Sequence, residues 1–305
     1  MAIRLSENFR ALFYAPFYAA EANGAFREAG VEVALVPSPD PPSAARALLA
    51  GEVDAMWGGP LRVMINHHAD AGSPLVCFCD VVARDPFFIV GRMPHPGFKF
   101  ADLRMLRFAT VSEVPTPWIC LANDIRKAGV APDALQRIRD RTMAQNEAAL
   151  SAGTVDAIQV FQPFAERLVR SGAGHIWHAA ANRGLTAYTT LVTRKETLAQ
   201  RRDELLKMTR AVHRTLGWFD STSASKIARL LQPYFPDVPT DLFAACLERY
   251  RALRLWNTDP VIRREGYDRL HEAMRAAGTL GHDIAFEACV DTELAQAAMT
   301  ADERA

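Results

Sequence analysis

The sequence lacks several features that would assign it to a specialised class of protein. No apolar run approaches the ~20 residues that a membrane span needs. The 35 Lys and Arg residues balance 35 Asp and Glu, so no net charge attracts nucleic acid or an anionic membrane surface. We therefore expect a globular protein without nucleic-acid partners or membrane insertion, and 305 residues are enough for two lobes.

The cysteines show no disulfide framework, because their number is odd and their spacing is unpaired. Residues 1–5 lack the basic, apolar and small-residue series of a secretory signal. The sequence as it stands predicts a cytoplasmic protein, or a periplasmic one if a native signal precedes it. The five cysteines, expected to be buried thiols, are Cys77, Cys79, Cys120, Cys246 and Cys289.

Motifs for cofactors, metals and nucleophiles are also missing. No G-x-G-x-x-G turn or G-x-S-x-G elbow occurs. His175 and His178 lie three apart on a predicted strand and so point to opposite faces. Cys77 and Cys79 share a face but have no second pair with zinc spacing. We expect no cofactor, no metal and no catalytic residue, and favour a protein that is not an enzyme.

A nine-residue repeat is the most informative feature that is present. Residues 47–55, ALLAGEVDA, return as ALSAGTVDA at residues 149–157, identical at seven of nine positions. Each copy predicts a helix that ends at a Gly, followed by a buried strand and a proline. Each copy therefore corresponds to half of a βαβ crossover. Two such copies indicate two α/β lobes that face each other across a ligand cleft.

The alternation of strands and helices places the lobe boundaries. Residues 1–90 and 191–305 are predicted to form the first lobe, and residues 91–190 the second. The β-rich segments near 87–92 and 186–193 are the predicted crossings. From residue 197 onward apolar residues recur at helical spacing, which predicts a helical C-terminal tail packed on the first lobe.

Candidate ligand-binding residues cluster at four predicted strand-to-helix turns, each marked by a proline. Helix N-termini carry free N–H groups and partial positive charge, which suit an anion or a polar heterocycle. Aromatic side chains at the turns offer flat walls. Ordinary helix starts and ordinary core packing remain the alternative interpretation. The candidates are Asn8, Tyr14, Ala15, Pro16, Trp57, Gly58, Gly59, Glu113, Thr116, Pro117, Phe161, Gln162 and Tyr188.

Asp54 and Asp156 could be an acid and base pair, as in many hydrolases. Their equivalent positions in the repeat argue for a different role. Each is expected at the start of its strand, away from the carboxyl end where ligands bind. The sequence therefore favours a structural role for both.

The opening of the chain resembles a known family. Tyr14-Ala15-Pro16-Phe17-Tyr18, followed by residues 24–33 (GAFREAGVEV), is similar to the start of type II periplasmic-binding proteins of the nitrate, sulfonate and taurine class. The segments around 51–55 and 153–157, the latter followed by Gln162-Pro163-Phe164, resemble the two lobe motifs of that family. The resemblance implies a two-lobed α/β fold with two hinge strands, closing on a small molecule.

The same superfamily includes a thiamine-pyrimidine synthase that consumes its own histidine and bound pyridoxal phosphate. Cys77-Phe78-Cys79 matches only the end of its cysteine-rich element, and no lysine stands beside His67 and His68. The leading hypothesis is thus a solute-binding protein for a small organic anion or heteroaromatic metabolite, with an ABC-transporter permease as candidate partner. An enzyme of thiamine-pyrimidine or related cofactor metabolism is the second hypothesis, and an effector-sensing subunit is the third.

Overall fold

The computed structural model describes residues 1–302, which form two five-stranded sheets. The first sheet has the order β2 (Val33–Val36), β1 (Ile3–Ser6), β3 (Ala55–Gly58), β10 (Thr189–Arg194) and β4 (Leu75–Val82), in which β10 runs antiparallel to its neighbours. Gly51 ends helix α3 (Pro41–Ala50) with a φ of 78°, which only glycine adopts readily. The elements of the first half are β1 (Ile3–Ser6), α1 (Ala15–Ala22), α2 (Ala25–Glu28), β2 (Val33–Val36), α3 (Pro41–Ala50), β3 (Ala55–Gly58), α4 (Pro60–Ala69) and β4 (Leu75–Val82).

The second sheet repeats this plan with the order β7-β6-β8-β5-β9. Here β5 is the antiparallel strand, between β8 and β9. Each sheet therefore contains one strand contributed by the chain just after it has crossed over. The elements are β5 (Phe88–Gly91), β6 (Phe108–Val111), α5 (Thr116–Lys127), β7 (Arg137–Arg141), α6 (Met143–Ser151), β8 (Ala157–Val160), α7 (Phe164–Arg170), β9 (His175–Ala179) and β10 (Thr189–Arg194).

The two copies of the repeat lie in different halves, since one leads into β3 and the other into β8. The chain passes between the sheets at residues 83–87 and 180–188. Both passages precede the predicted boundaries, because β5 already pairs with β8 and β10 already pairs with β3. We call the halves the first and second lobes, and the two passages the interlobe connections.

The C-terminal third is helical and packs against α1, α2, α4 and β4 of the first lobe. It also reaches the second lobe, where α11 contacts α7 and α12 contacts α5. None of the helices described between residues 1 and 302 is long and apolar enough to cross a membrane. The helices of this tail are α8 (Lys195–Gln200), α9 (Arg202–Ser221), α10 (Ala224–Leu231), α11 (Thr240–Ala252), α12 (Arg264–Ala276), α13 (Phe286–Cys289) and α14 (Glu293–Asp302).

Candidate functional site

The cleft between the lobes has a small inner compartment of about 50 Å³. Both lobes and both interlobe connections contribute to its wall, so a molecule held there contacts all four. A space of this size holds a few water molecules, since each needs about 10–15 Å³ of it, so it accommodates a head group rather than a whole metabolite. It is lined by Asn8, Phe9, Phe13, Tyr14, Pro41, Met56, Gly58, Gly59, Leu61, Arg62, Phe87, Val114, Pro115, Thr116, Tyr188 and Thr189.

A larger outer compartment of about 550 Å³ shares Phe9, Pro41 and Val114 with the inner one. Its volume lies in the range of small-molecule sites, and its wall is mainly aromatic and aliphatic. The cleft thus offers a narrow end of mixed polarity and a wide end that is mainly apolar. The outer lining consists of Phe9, Arg10, Ala11, Leu12, Pro39, Asp40, Pro41, Glu113, Val114, Met143, Phe161, Gln162, Pro163, Phe164, Phe235 and Val238.

Four helices begin at the cleft, as the proline-marked turns predict. Helices α1, α4 and α5 each have a proline in the first two positions and no side-chain cap. Their remaining free backbone N–H groups and helix dipoles give this end of the cleft a positive potential. The N-cap residues of α1, α4, α5 and α7, which all line the cleft, are Tyr14, Gly59, Pro115 and Pro163.

Arg62 is the cation of the inner compartment. It lies in the first turn of α4, and its guanidinium has no hydrogen bond or ion pair among the residues described. Burial lowers the pKa of Arg62 below its usual value, although the nearby Asp40 opposes the shift. Because an unpaired and partly desolvated guanidinium gains most from an anionic partner, this residue is a ready anion ligand.

The polar groups opposite are neutral hydrogen-bonding groups. The amide of Asn8 donates to the Tyr14 hydroxyl at 3.1 Å. Burial raises the pKa values of Tyr14 and Tyr188, so both phenols stay protonated. Gly59 allows the wall of α4 to approach the second connection, because a Cβ there would lie 3.1 Å from the Tyr188 carbonyl oxygen. The inner compartment therefore presents donors and one positive charge.

Phe161 forms an aromatic contact between the lobes. Its ring centroid lies 5.3 Å from that of Phe13 in the first lobe and 5.2 Å from that of Phe87 in the first connection. Both pairs are edge-to-face, a favourable geometry for aromatic rings. The three rings thus join the first lobe, the first connection and the second lobe within one core cluster.

The structure brings most of the predicted site residues together around the cleft. The inner lining contains Asn8, Tyr14, Gly58, Gly59, Thr116 and Tyr188, and the outer lining contains Glu113, Phe161 and Gln162.

Four predicted residues lie elsewhere, buried behind the cleft wall. Ala15, Pro16 and Pro117 lie within the first turns of α1 and α5, where Tyr14, Pro115 and Thr116 line the cleft in their place. Trp57 faces the opposite side of β3 from Met56 and Gly58, because strand residues alternate. Its ring stacks on Phe17 at 4.8 Å, and its indole N–H has no partner among the described residues.

Several lining residues were not predicted from the sequence. A basic residue in the first turn of a helix opposes the helix dipole, so the position of Arg62 after Pro60 was a usable signal. Phe235 and Val238 come from the segment between α10 and α11, and no local pattern indicated that they reach the cleft.

The ionisable side chains that line the two compartments are arginine, aspartate, glutamate and tyrosine. Among the residues described, neither compartment is lined by lysine, histidine or cysteine. No group of three or more His, Cys, Asp or Glu residues between positions 1 and 302 is arranged to hold a metal ion. The five cysteines are free thiols buried away from both compartments.

Two mixed sheets that exchange strands across a cleft define the fold of type II periplasmic-binding proteins. The family profile described as "NMT1/THI5 like" matches residues 13–220. The chain belongs to this NMT1/THI5-like family.

Individual relatives agree with this assignment. YtlA of Bacillus subtilis (strain 168), whose name describes it as a candidate binding protein, is 25% identical over 300 residues, covering 96% of this chain and 89% of YtlA. The periplasmic aliphatic sulphonate binding protein SsuA of Escherichia coli superposes with a TM-score of 0.75 at 17% identity, covering 93% of this chain and 94% of SsuA. The ligand-binding component of an ABC-type import system from Staphylococcus aureus, solved with zinc bound, has a TM-score of 0.74 at 14% identity, covering 97% and 98%. At these identities the solved structures show the fold.

Proposed function

We propose that this protein is a solute-binding protein that captures a small organic anion in the cleft between its lobes. The observation that carries the proposal is Arg62, an arginine without a partner that lines the inner compartment. In a desolvated site, a guanidinium binds a carboxylate, sulfonate or phosphonate through charge-assisted hydrogen bonds. The N-termini of α4 and α5 add N–H donors, whose partial charge has the same sign as that of Arg62.

The body of the ligand is expected to be apolar or heteroaromatic. The outer compartment is lined by rings such as Phe9, Phe161 and Phe164, and it adjoins the inner one, with which it shares three lining residues. A molecule with an anionic head and a flat or aliphatic body therefore matches the two compartments in order. That the E. coli and S. aureus proteins with this fold are named as binding components supports the same class of function.

Ligand binding is proposed to favour the closed arrangement of the lobes. A molecule in the inner compartment touches Asn8 of the first lobe and Thr116 of the second, so it gains contacts only when both walls are present. A ligand shifts such an equilibrium by the difference between its affinities for the two arrangements. No observation favours the alternative of a cofactor-metabolism enzyme.

An ABC-transporter permease is the proposed partner, because the S. aureus neighbour is described as part of an ABC-type import system. Such a partnership requires the protein to act outside the cytoplasm. Fractionation of cells that produce the protein from its natural gene tests this part of the proposal. Recovery from the cytoplasmic fraction alone would contradict the transporter partnership.

Titration calorimetry of Arg62→Gln tests the anion site. Ethanesulfonate, benzenesulfonate and benzoate serve as anionic probes, and benzamide as the neutral counterpart of benzoate. We expect at least one anion to bind and Arg62→Gln to weaken it about 100-fold, since a charge-assisted hydrogen bond contributes roughly 1.5–3 kcal/mol. Benzamide should bind neither protein.

Arg10→Gln is the matched control. Arg10 also lines the cleft, but its guanidinium is already engaged by the Glu7 carboxylate and the Tyr234 carbonyl oxygen. We expect its loss to change affinity less than about threefold, as for a weak long-range charge effect. Equal losses in both variants would contradict a specific role for Arg62, and wild-type protein that binds none of the anions would contradict the proposed function.

A further inference from the structure

Tyr250 connects three parts of the molecule through one buried hydroxyl group. The residue lies on α11, is fully buried, and falls outside the 13–220 segment matched by the family profile. Its hydroxyl oxygen accepts the backbone N–H of Gln162 at 2.9 Å and donates to the Pro86 carbonyl oxygen at 3.2 Å. Gln162 belongs to the cleft wall of the second lobe, and Pro86 belongs to the first interlobe connection.

Ion pairs extend this junction along α11. Arg249 donates to the Glu166 carboxylate at 2.7 Å, and Glu166 lies on α7 of the second lobe with a side chain only 9% exposed. One turn away on α7, Arg170 pairs with Asp241 at the start of α11 at 2.5 Å. The side of α11 that faces the second lobe is therefore held by two charged contacts and one buried hydroxyl.

The opposite side of α11 belongs to the first lobe. It packs against α10 and against the short helical turn Leu12–Tyr14, which supplies Phe13 and Tyr14 to the inner compartment. The helix thus lies between a cleft-lining turn of the first lobe and the cleft-lining loop of the second.

We propose that α11 is an interlobe clamp and that Tyr250 is a positioning residue for the ligand cleft. The Tyr250 hydroxyl fixes the backbone of Gln162 relative to the first connection, and the α7 ion pairs keep the helix seated. The residue contacts no ligand itself. It holds the outer wall of the second lobe at the spacing that binding requires. The effect on affinity rests on the proposed function, whereas the effect on lobe spacing does not.

The backbone at Gln162 is easily displaced, because this residue makes few hydrogen bonds. Its side-chain oxygen accepts the Glu166 N–H at 2.9 Å, which leaves the amide nitrogen facing away, buried and without a partner among the described residues. The loop therefore depends on its few existing hydrogen bonds. Removing the Tyr250 hydroxyl leaves the Gln162 N–H unsatisfied as well, which favours displacement of the loop.

Tyr250→Phe and Tyr267→Phe form a matched pair of variants. Tyr267 is equally buried, but its hydroxyl donates to the Ile284 carbonyl oxygen, with the Ala285 carbonyl also near, within the C-terminal tail. Each variant deletes one buried hydroxyl and should lower the melting temperature by a similar amount. Only Tyr250→Phe should weaken binding of the best anionic probe, by about tenfold, the equivalent of one hydrogen bond.

The distance between the lobes distinguishes the two roles of Tyr250, because a purely stabilising role would leave this distance unchanged. Spin labels at Arg46→Cys on α3 and Ala144→Cys on α6 report the distance across the cleft, and the five native cysteines are buried against labelling. Without ligand, we expect Tyr250→Phe to lengthen or broaden the distance distribution, while Tyr267→Phe matches the wild type. Glu166→Gln should shift it in the same direction by a smaller amount, and it replaces Tyr250→Phe if that variant fails to fold.

Unchanged distance distributions in Tyr250→Phe and Glu166→Gln would overturn the clamp, whatever the ligand results. Equal affinity losses in Tyr250→Phe and Tyr267→Phe would overturn the positioning role. If the wild-type protein binds none of the anionic probes, the proposed function fails while the distance measurement still tests the clamp.

Discussion

Arg4 in the first lobe and Arg107 in the second occupy equivalent places beside the two copies of the repeat. Arg4 donates to both carboxylate oxygens of Asp54 and to the Gly51 carbonyl oxygen. Arg107 makes the same three kinds of contact to Asp156 and Gly153. In both lobes the arginine backbone N–H also donates to the aspartate, at 2.8 and 2.9 Å.

We call each of these arginine–aspartate contacts a clip. The strands that follow the two clips, β3 and β8, lead into unrelated sequences. In the first lobe β3 is followed by Gly59 and Pro60, and its third residue is Trp57. In the second lobe β8 is followed by residues 161–163, FQP, and its third residue is Gln159. The repeat therefore keeps the same structural contact at the amino ends of β3 and β8. The segments at the carboxyl ends, which line the cleft, differ in sequence.

The clips also differ in what surrounds them. Asp54 has a second arginine, Arg201 of the C-terminal tail, at 3.3 Å, and its side chain is 11% exposed. Among residues 1–302, Asp156 has only Arg107 within ion-pair distance, and its side chain is 23% exposed. The tail thus covers the clip of the first lobe and leaves the clip of the second lobe nearer to solvent.

The two lobes should differ most in stability when the third residue of β3 or of β8 is replaced by alanine. Trp57→Ala removes a fully buried ring that packs on Phe17 and Tyr18, and we expect it to lower the free energy of unfolding by about 3–5 kcal/mol. Gln159→Ala removes one hydrogen bond to the Pro117 carbonyl oxygen and should cost about 1–2 kcal/mol. Urea denaturation of both variants measures the difference, and equal losses would contradict the assigned packing.

Replacing the clip aspartates by asparagine should lower the free energy of unfolding by smaller amounts, and by more for Asp54 than for Asp156. Asp54→Asn leaves two arginines short of a partner in a more buried setting, so we expect a loss of about 2 kcal/mol. Asp156→Asn should cost about 1 kcal/mol, since solvent compensates the exposed Arg107. The same urea series measures both, and neither variant should change ligand affinity. Reduced affinity with normal stability would argue that these aspartates belong to the site.

Lowering the pH should remove the contribution of the Arg107–Asp156 clip to the free energy of unfolding. The Arg107 hydrogen bonds lower the pKa of Asp156 to about 2, against the usual 3.8. A depressed folded-state pKa stabilises the protein above the unfolded pKa, and this stability is lost as pH falls through the folded value. The difference in unfolding free energy between wild type and Asp156→Asn, about 1 kcal/mol at pH 7, should shrink between pH 4 and 2. A constant difference would contradict the ion-pair assignment.

Much of the fold could be predicted because its determinants are local. Gly51 and Gly153 end their helices at positive φ, and the aspartates that follow mark the strand starts. The two-lobed fold class and the membership of the periplasmic-binding-protein superfamily are confirmed. The structural role favoured for Asp54 and Asp156 has a geometry that fits it.

The remainder depends on contacts between distant segments. Which face of β3 meets the cleft follows from its pairing with β1 and β10, so the sequence alone could not place Trp57 behind the wall. The contributions of Phe235 and Tyr250 require knowing where the C-terminal helices cross the lobes. A helical period reports that a helix has an apolar face, but it does not report which lobe that face covers.

A crystal structure of the protein with 4-bromobenzenesulfonate would show where an anion binds, because bromine gives an anomalous signal. We expect the sulfonate beside Arg62 in the inner compartment, in contact with Asn8 and Thr116, and the bromine peak among the rings of the outer compartment. A sulfonate bound elsewhere, with the cleft between the lobes empty, would contradict this expectation.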